Sequence, residues 1–96
     1  MSEKDNILYL CVCIALSDHK LDNDETAEII KISKKLDTEF HVQDAAVHIN
    51  KKFKDDLDMA QDFYSGNINE IENKKKAKEF CKEVASSNGE LKDKEI

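Results

Sequence analysis

Apolar residues return at helical spacing along most of this chain. Ile7, Leu8, Cys11, Ile14 and Ala15 fall at i, i+1, i+4, i+7 and i+8, the stripe of an amphipathic helix. Leu10 and Val12 widen the stripe, which predicts a central helix. A second stripe runs through Thr26, Ile29, Ile30, Ser33 and Leu36, with Glu28, Lys31, Lys34 and Lys35 beside it. Its early acids and late lysines suit the helix dipole. Asp37 to His41 breaks the pattern, and Val42, Ala45, Ala46, Ile49 and Phe53 restart it as a third helix. A shorter fourth helix is predicted over Leu57, Ala60, Phe63 and Tyr64, ending at Ser65-Gly66, where glycine can take the left-handed conformation that stops a helix. Asn69 offers a cap for a fifth, with Glu72 three residues on as in a capping box. That helix is expected to bury Ala77, Phe80, Cys81, Val84 and Ala85, to hold Lys74-Lys75-Lys76 on a solvated face, and to end at Ser86-Ser87-Asn88-Gly89. The prediction is an all-α fold, a single compact bundle of about five to six short helices spanning 1–96.

Composition agrees with this and narrows the function. At 96 residues the chain suits one domain with a modest core, burying about two-thirds of its unfolded surface. No proline and only two glycines favour short-looped helices over a turn-rich sheet. The formal net charge of -6 argues against a general nucleic-acid backbone binder, because phosphate neutralisation needs a basic surplus. Cations and basic surfaces are the expected partners. The longest apolar run, Ile7 to Leu16, falls short of the roughly 18 residues of a membrane span, and the Met1-Ser2-Glu3-Lys4-Asp5 before it is too acidic to open a signal peptide. A cytoplasmic location is the expectation. Cys11, Cys13 and Cys81 are odd in number and lie in apolar context, which suits reduced thiols filling a core. A zinc site is disfavoured, since Cys11 and Cys13 point to different faces of a helix and no second Cys or His pair stands at ligand spacing.

One short internal repeat singles out candidate chemistry. "ALSDHKLDNDE" at Ala15 to Glu25 aligns without gaps to "ASSNGELKDKE" at Ala85 to Glu95, pairing Ser17 with Ser87, Asp18 with Asn88, Leu21 with Leu91 and Glu25 with Glu95. Each copy follows an apolar helical stripe and reads as a helix-turn-helix corner. Two explanations compete. In the first, Asp22 caps the second helix, Glu25 completes a capping box and Leu21 is the hydrophobic staple, with loss of the cap costing about 1 kcal/mol. Lys92 stands where the second copy would need that cap, although Asp93 could supply it with a shifted start. In the second, the shared features, an Asp or Asn and a Glu seven residues later, supply oxygens to a hard cation together with loop carbonyls and water. Calcium fits that donor set, and magnesium or manganese fit it too. The site is not an EF-hand, because the first two ligand positions of such a loop would fall on the apolar Ile14 and Leu16.

These two corners resemble the paired motif of TerB-like domains, the tellurite-resistance TerB superfamily, which reads Ala-x-x-Asp-Gly, then an apolar residue two positions on, then Glu. The resemblance covers most of the chain. It implies a compact all-helical domain with a pseudo-twofold pair of acidic corners that bind metal, calcium in particular. The metal ligands it implies are Asp18 and Glu25 at one corner, and Asn88 and Glu95 at the other. Three departures stand out: His19 replaces the motif's glycine, Asn88 replaces its aspartate, and the sequence stops at Ile96, leaving Glu95 almost no helix. The expectation is a short or C-terminally truncated member whose second corner needs a protein partner or a second copy in a homodimer to order it.

Nothing else in the sequence reads as catalytic machinery. There is no Ser-His-Asp order, no glycine-rich phosphate loop and no HExxH motif. A turn is expected at His41, and His48 with Asp44 reads as an i,i+4 pair rather than a catalytic dyad. Tyr9, Phe53, Phe63, Tyr64 and Phe80 read as core or half-buried anchors. The functional expectation is a non-enzymatic module that binds a divalent cation and serves a stress- or tellurite-resistance-type response through a protein partner. The alternative is a structural or protein-interaction domain without metal.

Overall fold

The first helix begins a full turn ahead of its apolar stripe because Ser2 and Asp5 cap it reciprocally. The Ser2 hydroxyl accepts from the Asp5 backbone N–H at 3.2 Å, and the Asp5 carboxylate accepts from the Ser2 N–H at 3.4 Å. The computed structural model describes residues 2–18, 23–54 and 56–86, which form five helices: α1 (Glu3–Asp18), α2 (Asn23–Lys35), α3 (Val42–Phe53), α4 (Leu57–Gly66) and α5 (Ile71–Ser86). Among these residues there is no strand, and no helix is long and apolar enough to cross a membrane.

α1 is the centre of the bundle. Ile7, Leu8, Cys11, Val12, Cys13 and Ala15 are fully buried, and Tyr9, Leu10, Ile14 and Leu16 beside them are half-buried, so the middle of the helix has no fully exposed face. It packs most extensively on α4 and α5, then on α3 and α2. The other helices each turn one face toward it. Val42, Ala45, Ala46, Ile49 and Phe53 of α3 are all buried, as their spacing predicts. α5 buries Ala77 and Val84, half-buries Phe80, Cys81 and Ala85, and leaves Lys74, Lys75 and Lys76 exposed.

α2 sits rotated from the expected stripe. Ile29, Ile32, Ser33 and Leu36 face the core, while Ile30 is 39% exposed. The stripe that packs is Glu25-Ile29-Ile32-Leu36, at i, i+4, i+7 and i+11, and it carries a glutamate inward. The helix then ends on Asp37, whose φ of 54° is left-handed. The Asp37 N–H donates to the Lys34 carbonyl at 3.1 Å and the Thr38 N–H to the Ser33 carbonyl at 3.0 Å. This is a Schellman ending built without glycine.

Two other helix ends differ from expectation. Gly66 is the last residue of α4 and does not adopt positive φ; Asn67 follows in a right-handed conformation, and N–H donations from Asn67 to Tyr64 and from Ile68 to Ser65 tighten the end into a 3-10-like turn. α5 opens at Ile71, with Glu70 rather than Asn69 supplying the carbonyl that accepts the first helical bond, from Lys74 N–H at 2.9 Å. Its cap comes from elsewhere in the chain. The Glu3 carboxylate accepts from the Glu70 N–H at 3.2 Å and from the Asn73 side-chain amide at 2.9 Å, so the start of α1 holds the start of α5. α4 is capped locally, the Asp56 carboxylate accepting from the Met59 N–H at 3.1 Å.

Aromatic rings line the seam of α1, α3 and α4. Tyr9 stacks on Tyr64 at 5.0 Å and meets Phe40 edge-on at 5.4 Å, and Tyr64 meets Phe63 and Phe53 edge-on. Phe63 is 41% exposed, and Lys52 covers its ring at 4.2 Å.

These contacts generate two predictions. The Tyr64 hydroxyl is buried with no hydrogen-bond partner among the described residues, and burial pushes its pKa up to about 12. Tyr64→Phe is therefore expected to raise the melting temperature by relieving a desolvation cost of about 1 kcal/mol or more, as read by thermal denaturation; a clear loss of stability would show that the hydroxyl is satisfied. The hydrogen bonds from Asn73 and Glu70 hold the Glu3 carboxyl below its ordinary pKa of 4.5. The stabilisation from Glu3 is thus complete above that ordinary value and is lost as pH falls through the lower folded pKa. Glu3→Gln should flatten the acid side of the stability–pH profile, and an unaltered acid limb would contradict the clamp.

Candidate cation corner

The corner lies where α1 ends at Asp18 and α2 begins at Asn23. That start puts Glu25 at the third helical position of α2, within the positive end of the helix dipole. The same register sets Glu25 on the core-facing stripe, one turn before Ile29, and leaves it 1% exposed. Its neighbour Asp24 is exposed. Taking a carboxylate out of water to this degree costs several kcal/mol unless hydrogen bonds, dipoles or a cation compensate it. Of the two motif acids whose side chains are described, Asp24 faces water and Glu25 faces the core.

Of the four implied ligands, Glu25 is the one whose side chain falls within the described residues. Asp18 is the last helical residue of α1, but its side chain lies outside them, as do Asn88 and Glu95 and therefore the second corner. His19, Leu21 and Asp22 lie outside them as well. Among the described residues, no group of three or more His, Cys, Asp and Glu side chains converges as metal ligands. A carboxylate oxygen such as Glu25 carries is a hard donor, of the kind that calcium, magnesium and manganese take.

Two further clusters are not legible as sites in the sequence. His41 stands before α3 at its cap position, so it shares no helix face with His48. A groove of about 440 Å³ nevertheless brings both imidazoles together with Asp5, Tyr9, Glu39 and Asp44. His41 lies 3.5 Å from the Glu39 carboxylate, and His48 tilts against the Tyr9 ring at 5.9 Å. Carboxylates beside ring faces make this wall hospitable to positive charge.

The second cluster is a trio of thiols. Cys11 and Cys13 are buried in α1, and Cys81 of α5 is half-buried, all three free. The Cys11 and Cys81 thiols influence one another across the α1–α5 interface, which drives the Cys11 pKa well up, with burial adding to it, and draws the Cys81 pKa down. Burial pushes Cys13 up to about 12. Cys81 also lines an apolar groove of about 460 Å³ with Leu10, Ile68 and Ala77 on its floor and Lys74, Lys78 and Lys82 along its rim. Helical spacing puts these cysteines in the core, but no local signal pairs residues on the first and last helices. No protein family, curated protein or solved structure matches this chain.

Proposed function

We propose that this chain is a non-enzymatic helical module whose α1–α2 corner holds a divalent cation, calcium in the first instance, and offers a protein partner a surface set by the angle between those helices. The observation that carries this reading is the inward placement of Glu25, 1% exposed, at the position where the motif asks for a ligand. A cation shared by Glu25 and Asp18 would tie the end of α1 to the start of α2. Neutralising an acidic corner in this way biases one helix arrangement over another, which is how a bound ion reaches a partner surface. The resemblance of the motif to TerB-like domains supports calcium and points to a stress- or tellurite-resistance-type role as the class of process.

The helix register also favours a second reading. Glu25 at the third helical position is where a capping-box glutamate stands, and a domain that uses the corner only as a cap would act through protein contacts alone.

Thermal melting after chelation, then in millimolar calcium, magnesium or manganese, separates the two. A cation bound only to the folded state at a hundred times its dissociation constant should add about 2.7 kcal/mol. Asp18→Ala and Glu25→Ala should abolish that gain, whereas Asp22→Ala should lower the baseline and keep it. An unchanged melt in all three ions, or equal behaviour of the three variants, would favour the cap.

A further inference from the structure

We propose that the groove between α5 and the end of α4 binds a free long-chain carboxylate, the acyl chain lying on its floor and the carboxylate against Lys78 and Lys82. This groove shares no lining residue with the cation corner and does not depend on it. Its floor is apolar. Ile68 and Ala77 are buried and belong to the core, Leu10 and Cys81 are half-buried, and the recess they leave holds about 460 Å³ open to water. Small-molecule sites span roughly 300–1,000 Å³ and share this character, mostly apolar with a few placed polar groups.

The charge on the groove has one sign. Lys74, Lys78 and Lys82 line it at i, i+4 and i+8, which sets three ammonium groups along one edge over about 12 Å of helix. Like charges at this spacing repel one another. Among the described residues no carboxylate lines the groove or forms an ion pair with these lysines. Glu83 reaches instead toward Lys35 of α2 at 4.0 Å, and Glu3 accepts from Glu70 and Asn73 at the start of α5. The Ser65 hydroxyl, also on the lining, donates to the Asp62 carbonyl at 3.3 Å. An anion with an apolar tail complements both the floor and the edge. Each methylene laid on the floor should tighten binding by up to about fourfold. Across the helix from the groove, α5 turns Lys75, Lys76 and Glu79 to water, so the apolar surface does not spread as a protein or membrane face would require. The groove between α1 and α3, lined by Asp5, Glu39 and Asp44, repels the same head group.

Titration of the isotope-labelled full chain with sodium dodecanoate, in chelator and below the micellar concentration, tests this by mapping amide shifts in nuclear magnetic resonance spectra. Saturable shifts are expected at Leu10, Ile68, Ala77 and Cys81, and none at Asp44 and His48 in the acidic groove. Affinity should rise from octanoate to dodecanoate and fall with added salt. Dodecanol and dodecyltrimethylammonium should bind about tenfold more weakly or worse. Lys78→Gln with Lys82→Gln should weaken dodecanoate binding about tenfold. Lys75→Gln with Lys76→Gln makes the same change in net charge outside the groove and should leave binding unaltered. All four lysines are exposed, so neither pair disturbs the core. Several results would overturn the proposal: no saturable shift, an equal response to dodecyltrimethylammonium, or equal losses in the two double variants. Flotation with anionic lipid vesicles without binding of free dodecanoate would make this face a membrane contact instead. Shifts at the groove that grow with protein concentration in the absence of dodecanoate would give it to a second copy of the chain.

Discussion

Everything in this bundle answers to one constraint: α1 is apolar around its whole circumference and cannot meet water on any side. Ile7, Leu8, Cys11, Val12, Cys13 and Ala15 together leave no polar face through the middle of the helix. Such a helix is stable in water only when enclosed, and four short amphipathic helices do the enclosing. Their amphipathicity is thus a consequence of serving as walls. With a Cα radius of gyration of 12.6 Å, near the value expected for a compact chain of this length, there is little slack in the arrangement.

The polar groups of α1 show how complete the enclosure is. Asn6 is buried, and it is reconciled with the interior by donating to the Ser2 carbonyl and accepting from the Asn67 side chain. Glu3, one turn earlier, takes the first turn of α5 as its hydrogen-bond partner. Polar residues near the start of the central helix therefore fix the helices around it in register, while its middle supplies the apolar burial. Glu25 on α2 extends the same logic to the other end of α1, where a buried acid stands beside the corner that leads out of the core.

Much of this fold is legible in the sequence, and the differences have physical causes. The α3 stripe reads cleanly because polar residues separate its apolar positions. The α2 stripe is ambiguous by one position because Ile29, Ile30 and Ile32 permit two faces; packing selects the one that carries Glu25. Gly66 is a poor guide because a glycine permits a left-handed stop without requiring it, whereas Asp37 and Lys54 adopt that conformation without glycine. The Ser2-x-x-Asp5 capping box is a local signal, but the apolar stripe that starts later in the helix draws attention away from it. The cap of α5 is beyond local reading, since its carboxylate belongs to Glu3. For the candidate corner, comparing two copies of a motif singles out the pair Asp18 and Glu25, but only the register of α2 shows Glu25 to be buried.

The pairing of the first helix with the last also constrains how the chain comes into being. α1 is synthesised before the helix that covers its α5-facing side, which does not begin until Ile71. At typical synthesis rates of about 5–20 residues per second, the intervening stretch occupies several seconds. Throughout that interval the α5-facing side of α1 waits for its last wall. Until α5 is made, the chain carries apolar surface that the folded molecule conceals.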